Sequence, residues 1–194
     1  MISQRPTIYM LIGAPGSGKS TWAKKKGLPI FSSDDLREEL TGDANDTKTV
    51  GHKELFRELH NRMNEALENR EDIVFDAVNK DAKFRQQDTV RWTKKYKAKV
   101  VGVLFVTPKE IAAERNRERE KTVPEHVFEN FSNQLVDYPI DTEKEWYDAI
   151  LAVDEEGNEH EIYKFDKEHA LKRKEREYDE AVISPKEFSP KRRR

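Results

Sequence analysis

The sequence contains no cysteine. That excludes disulfides and thiolate metal centres and fits a reducing compartment. Charge of one sign is also missing: 36 Lys and Arg stand against 38 Asp and Glu, leaving a formal charge of -2. Any nucleic-acid site must therefore be a local basic groove and not a global cationic surface. No apolar run approaches the length of a signal peptide or a membrane span, so the expectation is a soluble cytoplasmic chain with no membrane partner. There is no internal repeat. The chain is 38% charged and only 35% hydrophobic, yet its 194 residues are enough for one cored domain with an appendage.

What is present is organised around Gly13-Ala14-Pro15-Gly16-Ser17-Gly18-Lys19-Ser20, which fits G-x-x-x-x-G-K-[ST]. The apolar, β-forming run Thr7 to Ile12 precedes it, and Ser20 to Lys26 follows without a helix breaker until Gly27. The three glycines let successive backbone N–H groups turn toward one phosphate at the positive end of the following helix. Lys19 then reaches the β- and γ-phosphates, and the Ser20 hydroxyl takes one position on Mg²⁺. Gly13, Ala14, Pro15, Gly16, Ser17, Gly18, Lys19, Ser20 and Thr21 form the expected nucleotide-binding run.

Strands and helical patterns then alternate. Leu28 to Ser32 reads as a second strand, followed by the polar turn Ser32 to Asp35 and a helix from Leu36. His52 to Arg70 is amphipathic, with Leu55, Leu59, Met63, Ala66 and Leu67 at helical spacing. Asp72 to Val78 is a third strand, Lys80 to Lys97 a helix with a basic face, and Lys99 to Val106 a fourth strand. Pro108 suits the first turn of the next helix, a further helix begins near Pro124, and Ala149 to Asp154 is a fifth strand. The pattern predicts a mostly parallel sheet covered on both faces, with ligands at the carboxyl ends of its strands. Past Asp154, a strand over His160 to Phe165 and a charged helix from Lys167 to about Ala181 are expected, and 184–194 reads as a basic disordered tail.

Three constellations fall where a phosphoryl donor and an acceptor would meet. In Asp34-Asp35-x-Arg37, a carboxylate could take the proton of an attacking hydroxyl and the arginine could hold a substrate phosphate. Ser32-x-x-Asp35 is equally a helix capping box, and spacing does not separate the two aspartates. Asp76, closing an apolar strand, could hold magnesium through water, anchor a catalytic arginine, or cap the next helix. Arg115 and Arg119, four residues apart, fall on one face of a helix, where they could close over a nucleotide or pair with Glu114, Glu118 and Glu120.

The ordered set Gly13 to Ala23, Asp34-Asp35-Leu36-Arg37, Asp76-Ala77-Val78-Asn79, Arg115-Asn116-Arg117-Glu118-Arg119 and Val123-Pro124 resembles the kinase domain of bacteriophage T4-type polynucleotide 5′-hydroxyl kinases over about residues 7 to 154. That resemblance implies a P-loop kinase fold with a five-stranded sheet, a helical lid and a charged C-terminal extension. It implies ATP and Mg²⁺ as cofactors and a nucleic-acid 5′ end, DNA or RNA, as acceptor. Asp34 would be the general base, Lys19 and Arg119 would stabilise the transferred phosphate, and Arg115 would assist in the lid. Arg37, with Asp35 and Asn79, would contact the acceptor, and Ser20 and Asp76 would serve the metal. For a phage-encoded member the compartment would be the host cytoplasm.

The chain departs from the bifunctional members in lacking an Asp-x-Asp-x-Thr phosphatase motif, so no 3′-phosphatase is expected. Ala77 stands where a small polar residue often follows the strand-ending aspartate. The expected organisation is a kinase domain over 1–154, a charged extension over 155–183 and the tail. Other acceptors remain open at this stage: a hydroxymethylated base in DNA, a nucleotide sugar or an antibiotic. So does a non-catalytic nucleotide-binding role.

Overall fold

The apolar run ahead of the glycine loop becomes an interior strand. A computed structural model describes residues 5–137 and 140–166, and the chain divides into two compact units, 1–164 and 165–194. The first unit holds every element named below. In chain order these are β1 (Thr7–Ile12), α1 (Lys19–Lys26), β2 (Ile30–Ser32), α2 (Ser33–Thr41), α3 (His52–Glu68) and β3 (Ile73–Asp76). They continue with α4 (Ala82–Tyr96), β4 (Lys99–Phe105), α5 (Lys109–Glu118), α6 (Glu125–Asp137), β5 (Ala149–Val153) and β6 (Glu159–Lys164). The helix expected from Lys167 and the basic tail lie outside the described residues. Among the described residues no helix is long and apolar enough to cross a membrane.

The sheet order is β2-β3-β1-β4-β5-β6. β1 pairs in parallel with β3 (Ile8 opposite Ile73) and with β4 (Ile8 opposite Val100), so the glycine loop leaves the sheet where the chain order switches sides. Both faces are covered, and the strands sort their side chains by alternation. Ile8, Met10 and Ile12 join one core with Leu55, Leu59 and Met63 of α3 and Trp92 and Tyr96 of α4. Leu11, Val103 and Phe105 join the other with Trp22 and Ala23 of α1. Each such large apolar side chain, once buried, contributes about 1.5–3 kcal/mol. That is how a chain so rich in charge still folds: its apolar residues are concentrated on the strands and on one stripe per helix.

A buried polar network fixes the loop after β3. Arg85 and Glu145, 2% and 1% exposed, meet through two hydrogen bonds of 2.7 and 3.0 Å. Arg85 Nη1 also donates to the Asn79 and Lys80 carbonyls at 2.9 and 2.7 Å, and the Tyr147 hydroxyl donates to Glu145 at 3.0 Å. The guanidinium thereby ties the segment behind Asp76 to the approach to β5.

Five sheet strands were expected, with the strand over His160 to Phe165 outside them; among the described residues the sheet has six, and that strand is the sixth. β6 runs antiparallel to β5, with Val153 opposite Glu159. Asp154 makes the turn, its carboxylate accepting from the Glu156 and Asn158 amides, and Gly157 takes φ +88°. The strand is almost wholly exposed on an edge, so it carries no apolar alternation to mark it as part of the sheet.

Candidate active site

The loop between β1 and α1 is built for close approach. Gly16 has φ +78°, and a Cβ there would lie 2.1 Å from the Ala112 carbonyl oxygen of α5. Gly18 precedes α1 with φ +99°, a conformation side chains resist. Among the described residues no side chain caps α1, so the amides of its first turn are open to an anion, while Lys24, Lys25 and Lys26 suit the negative end of its dipole. Inside the loop the Ser17 hydroxyl is buried without a partner among the described residues. Lys19 Nζ donates to the carbonyls of Gly13 and Ala14 at 2.8 and 2.7 Å, which leaves one N–H for a ligand oxygen.

Ser20 Oγ donates to Asp76 Oδ2 at 3.0 Å. This joins the two predicted metal residues, which come from α1 and the carboxyl end of β3. Hard oxygen donors beside a phosphate cradle suit Mg²⁺, which keeps water and phosphate oxygens in its shell. Among the described residues there is no group of three or more His, Cys, Asp or Glu that could hold a metal ion. Asp76 is 7% exposed, and burial raises its pKa against the opposing pull of Lys19 and the Ser20 hydrogen bond. Burial likewise lowers the pKa of Lys19, offset by Asp76 and Asp34, while Arg119 adds a further cation. Lys19, Asp76, Asp34 and Arg119 thus act on one another as a single cluster.

Strand register brings Asp34 there. Ser32 lies opposite Asp76 in the β2–β3 pairing, and α2 begins at the next residue. Ser32 caps that helix, accepting from the Asp35 amide at 3.2 Å, so both aspartates sit in the first turn, ahead of the expected start at Leu36. The geometry separates the pair that spacing could not: Asp34 lines a cleft of about 580 Å³ together with the glycine loop, Lys19, Ser20, Asp76, Arg115 and Arg119. Asp35 is exposed and does not line it.

The two arginines do not share a helix face. α5 ends at Glu118, and Arg119 is extended (φ -73°, ψ 143°). The reason is Asn116, which donates to the Val123 carbonyl and accepts from its amide, folding the chain back on the helix end. Arg119 reaches the cleft from this loop, whereas Arg115 reaches it from the helix and donates to the Glu155 carbonyl at 2.8 Å. The β5–β6 turn is therefore a wall of the site. It is hooked to α1 by Trp22 Nε1, which donates to Glu159 at 2.8 Å. The sequence marks Glu155-Glu156-Gly157-Asn158 as a turn into a strand but not as part of the site, and Asn116 was not singled out; the turn's partners Arg115 and Trp22 are 40 or more residues away.

Arg37 and Asn79 stand outside the cleft. Arg37 is buried one helical turn beyond Ser33. Asn79 has φ +48°, and its side-chain Nδ2 donates to the Leu11 carbonyl at 2.8 Å, closing the end of β1.

The fold is an α/β fold with a mostly parallel sheet and a phosphate-binding loop of the G-x-x-x-x-G-K-[ST] pattern between β1 and α1. A family described as AAA domain (AAA_33) matches residues 8–136, two thirds of the sequence, and the chain belongs to that family. No curated protein sequence matches it. Among solved structures, a protein from Chloroflexus aurantiacus with a provisional kinase assignment aligns with TM-score 0.63 and 15% identity, over 92% of this chain and 98% of its own. A chain of the Pnkp1/Rnl/Hen1 RNA repair complex aligns with TM-score 0.59 and 24% identity over 71% of this chain, which spans 48% of that protein. In a second structure of the complex the match is 28% identical over 57% of this chain and 39% of the other, with TM-score 0.50.

Proposed function

We propose that this protein is an ATP-dependent kinase that transfers the γ-phosphate to the 5′-hydroxyl of a DNA or RNA end. The observation that carries the reading is that Asp34 lines the same cleft as Lys19 and Arg119. A proton acceptor and two cations then converge on the space beyond an uncapped helix N-terminus. In the proposed step Asp34 takes the acceptor's hydroxyl proton as that oxygen bonds to the γ-phosphorus, and the bond to the ADP oxygen breaks. Lys19 and Arg119 neutralise charge on the peripheral oxygens of the transferred group, and Arg115 holds the nucleotide from the lid helix. Mg²⁺, held by Ser20 and through water by Asp76, would supply charge neutralisation at the β- and γ-phosphates.

The acceptor assignment draws support from the ordered motif set and from the likeness to a protein of an RNA repair complex. Arg37, with its planar fork of donors one turn past Asp34, suits the phosphate next to the attacked nucleoside. Steady-state kinetics with a 3′-phosphorylated and an unphosphorylated nucleoside test it. Strong preference for the phosphorylated acceptor, lost in Arg37→Lys, is expected; equal use of both would sink the polynucleotide reading.

A further inference from the structure

Arg37 is only 8% exposed, yet its Nη1 has no hydrogen-bond partner among the described residues. A buried guanidinium nitrogen without an acceptor is costly unless a ligand supplies one. A titratable ring, His52, and a second cation, Lys80, act on the same region. His52 stands on the exposed first turn of α3, its ring centroid 4.4 Å from that of Phe56, which in turn packs 6.3 Å from Phe75, the residue before Asp76. Lys80 follows Asp76 by four residues and lies 4.9 Å over the Phe131 ring of α6.

Partial burial holds the His52 pKa below the ordinary value, and the charges acting on it from the described residues, Arg37 of α2 and Lys80 of the loop before α4, are both positive and push the same way. Among the described residues, Glu39 of α2 pairs with Arg62, Glu129 of α6 pairs with Lys109, and the Asp81 carboxylate accepts from the Lys83 amide at the start of α4. Two cations and a titratable ring, from three elements, thus act on one another past the carboxyl ends of β2 and β3, with an orphan donor among them. That arrangement calls for an anion.

We propose that His52 is a third ligand, with Arg37 and Lys80, for the backbone phosphodiester of the acceptor, and that it takes up one proton from solvent as that phosphate binds. This rests on the reading of the acceptor as a nucleic-acid end. The sign follows from linkage. The free ring titrates below about 6.5, and a bound phosphate raises that value. Between the two values binding consumes a proton, so acceptor affinity falls as pH rises, by at most about tenfold per pH unit. A phosphodiester keeps one negative charge across this range, so the slope belongs to the protein.

The test uses the full chain with saturating ATP and a 5′-hydroxyl dinucleotide containing one phosphodiester. The acceptor KM is measured from pH 5.5 to 8.5 for the native protein and His52→Gln. In parallel the His52 ring is titrated by proton NMR, assigned through that variant, alone, with the dinucleotide and with inorganic sulfate. The native KM should climb several-fold across the window, His52→Gln should flatten that climb without changing the KM for ATP, and the dinucleotide should move the His52 midpoint upward. An unmoved midpoint at saturating dinucleotide, or an unchanged slope in His52→Gln, overturns the inference. Should the dinucleotide not be phosphorylated at all, the acceptor reading has failed, and the sulfate arm decides separately. An upward shift with sulfate that disappears in Arg37→Met upholds the anion seat; no shift overturns it.

Discussion

Asn116 grips Val123 on both sides: its Nδ2 donates to the Val123 carbonyl at 2.8 Å and its Oδ1 accepts from the Val123 amide at 3.1 Å. That pair closes the loop from Arg119 and sets where Arg119 leaves α5. Asn116→Ala should therefore lower kcat by up to about 10²-fold through misplacement of Arg119, with a smaller change in the KM for ATP. Because Asn116 acts through Arg119, the double variant with Arg119→Ala should be little worse than Arg119→Ala alone. Independent, multiplying losses in kcat would show that Asn116 does something else.

The two adjacent aspartates should behave differently. Asp34→Asn keeps size and helix-start chemistry but removes the proton acceptor, so turnover should fall by roughly 10²–10⁴. Asp35→Asn, at an exposed position outside the cleft, should keep most of the activity. Single-turnover rates for both variants check the assignment, and the reverse order of losses would reassign the base.

Asp76 sets function against stability. Its pKa is raised by burial, so between the unfolded value near 3.8 and the folded one the native state keeps a proton that the unfolded chain has released. Stability from this group is full below the unfolded value and is lost as pH rises through the folded one. Asp76→Asn should accordingly raise the Tm of the ligand-free protein at pH 7, with the gain shrinking as pH falls toward 3.8, while phosphoryl transfer drops sharply. A lower Tm at pH 7 would mean that the attraction between Lys19 and Asp76 outweighs the burial cost.

Removing one partner of the Arg85–Glu145 pair leaves the other charged and buried. Arg85→Met should cost about 3–5 kcal/mol in urea unfolding. Arg85→Met with Glu145→Leu should recover a large part of it, though not all, because the Asn79 and Lys80 carbonyls also lose their donor. A double-mutant cycle with no coupling would contradict the network.

Much of this was legible in the sequence because it is local. The alternation of apolar runs and helical stripes gave the parallel strands and their order along the chain, and the glycine spacing gave the loop. What escaped depended on contacts distant in sequence or on polar edges. The strand expected over His160 to Phe165 is β6, but its place in the sheet was not legible, because it joins through backbone pairing with exposed side chains that show no apolar alternation. Arg115 and Arg119 read as one helix face because nothing between them breaks a helix; the break comes from Asn116 bonding seven residues ahead. Asp34 parts from Asp35 only through the register of Ser32 with Asp76, a pairing across 44 residues that no local pattern encodes.

The central claim is most directly tested by incubating the native protein and Lys19→Ala with γ-labelled ATP and three acceptors: a 5′-hydroxyl oligonucleotide, a 5′-blocked DNA carrying a hydroxymethylated base, and a nucleotide sugar. The account predicts label on the oligonucleotide's 5′ end with the native protein and none with the variant, whose fold should be intact. Label on the base or the sugar in preference to the 5′ end, or equal transfer by Lys19→Ala, would contradict it.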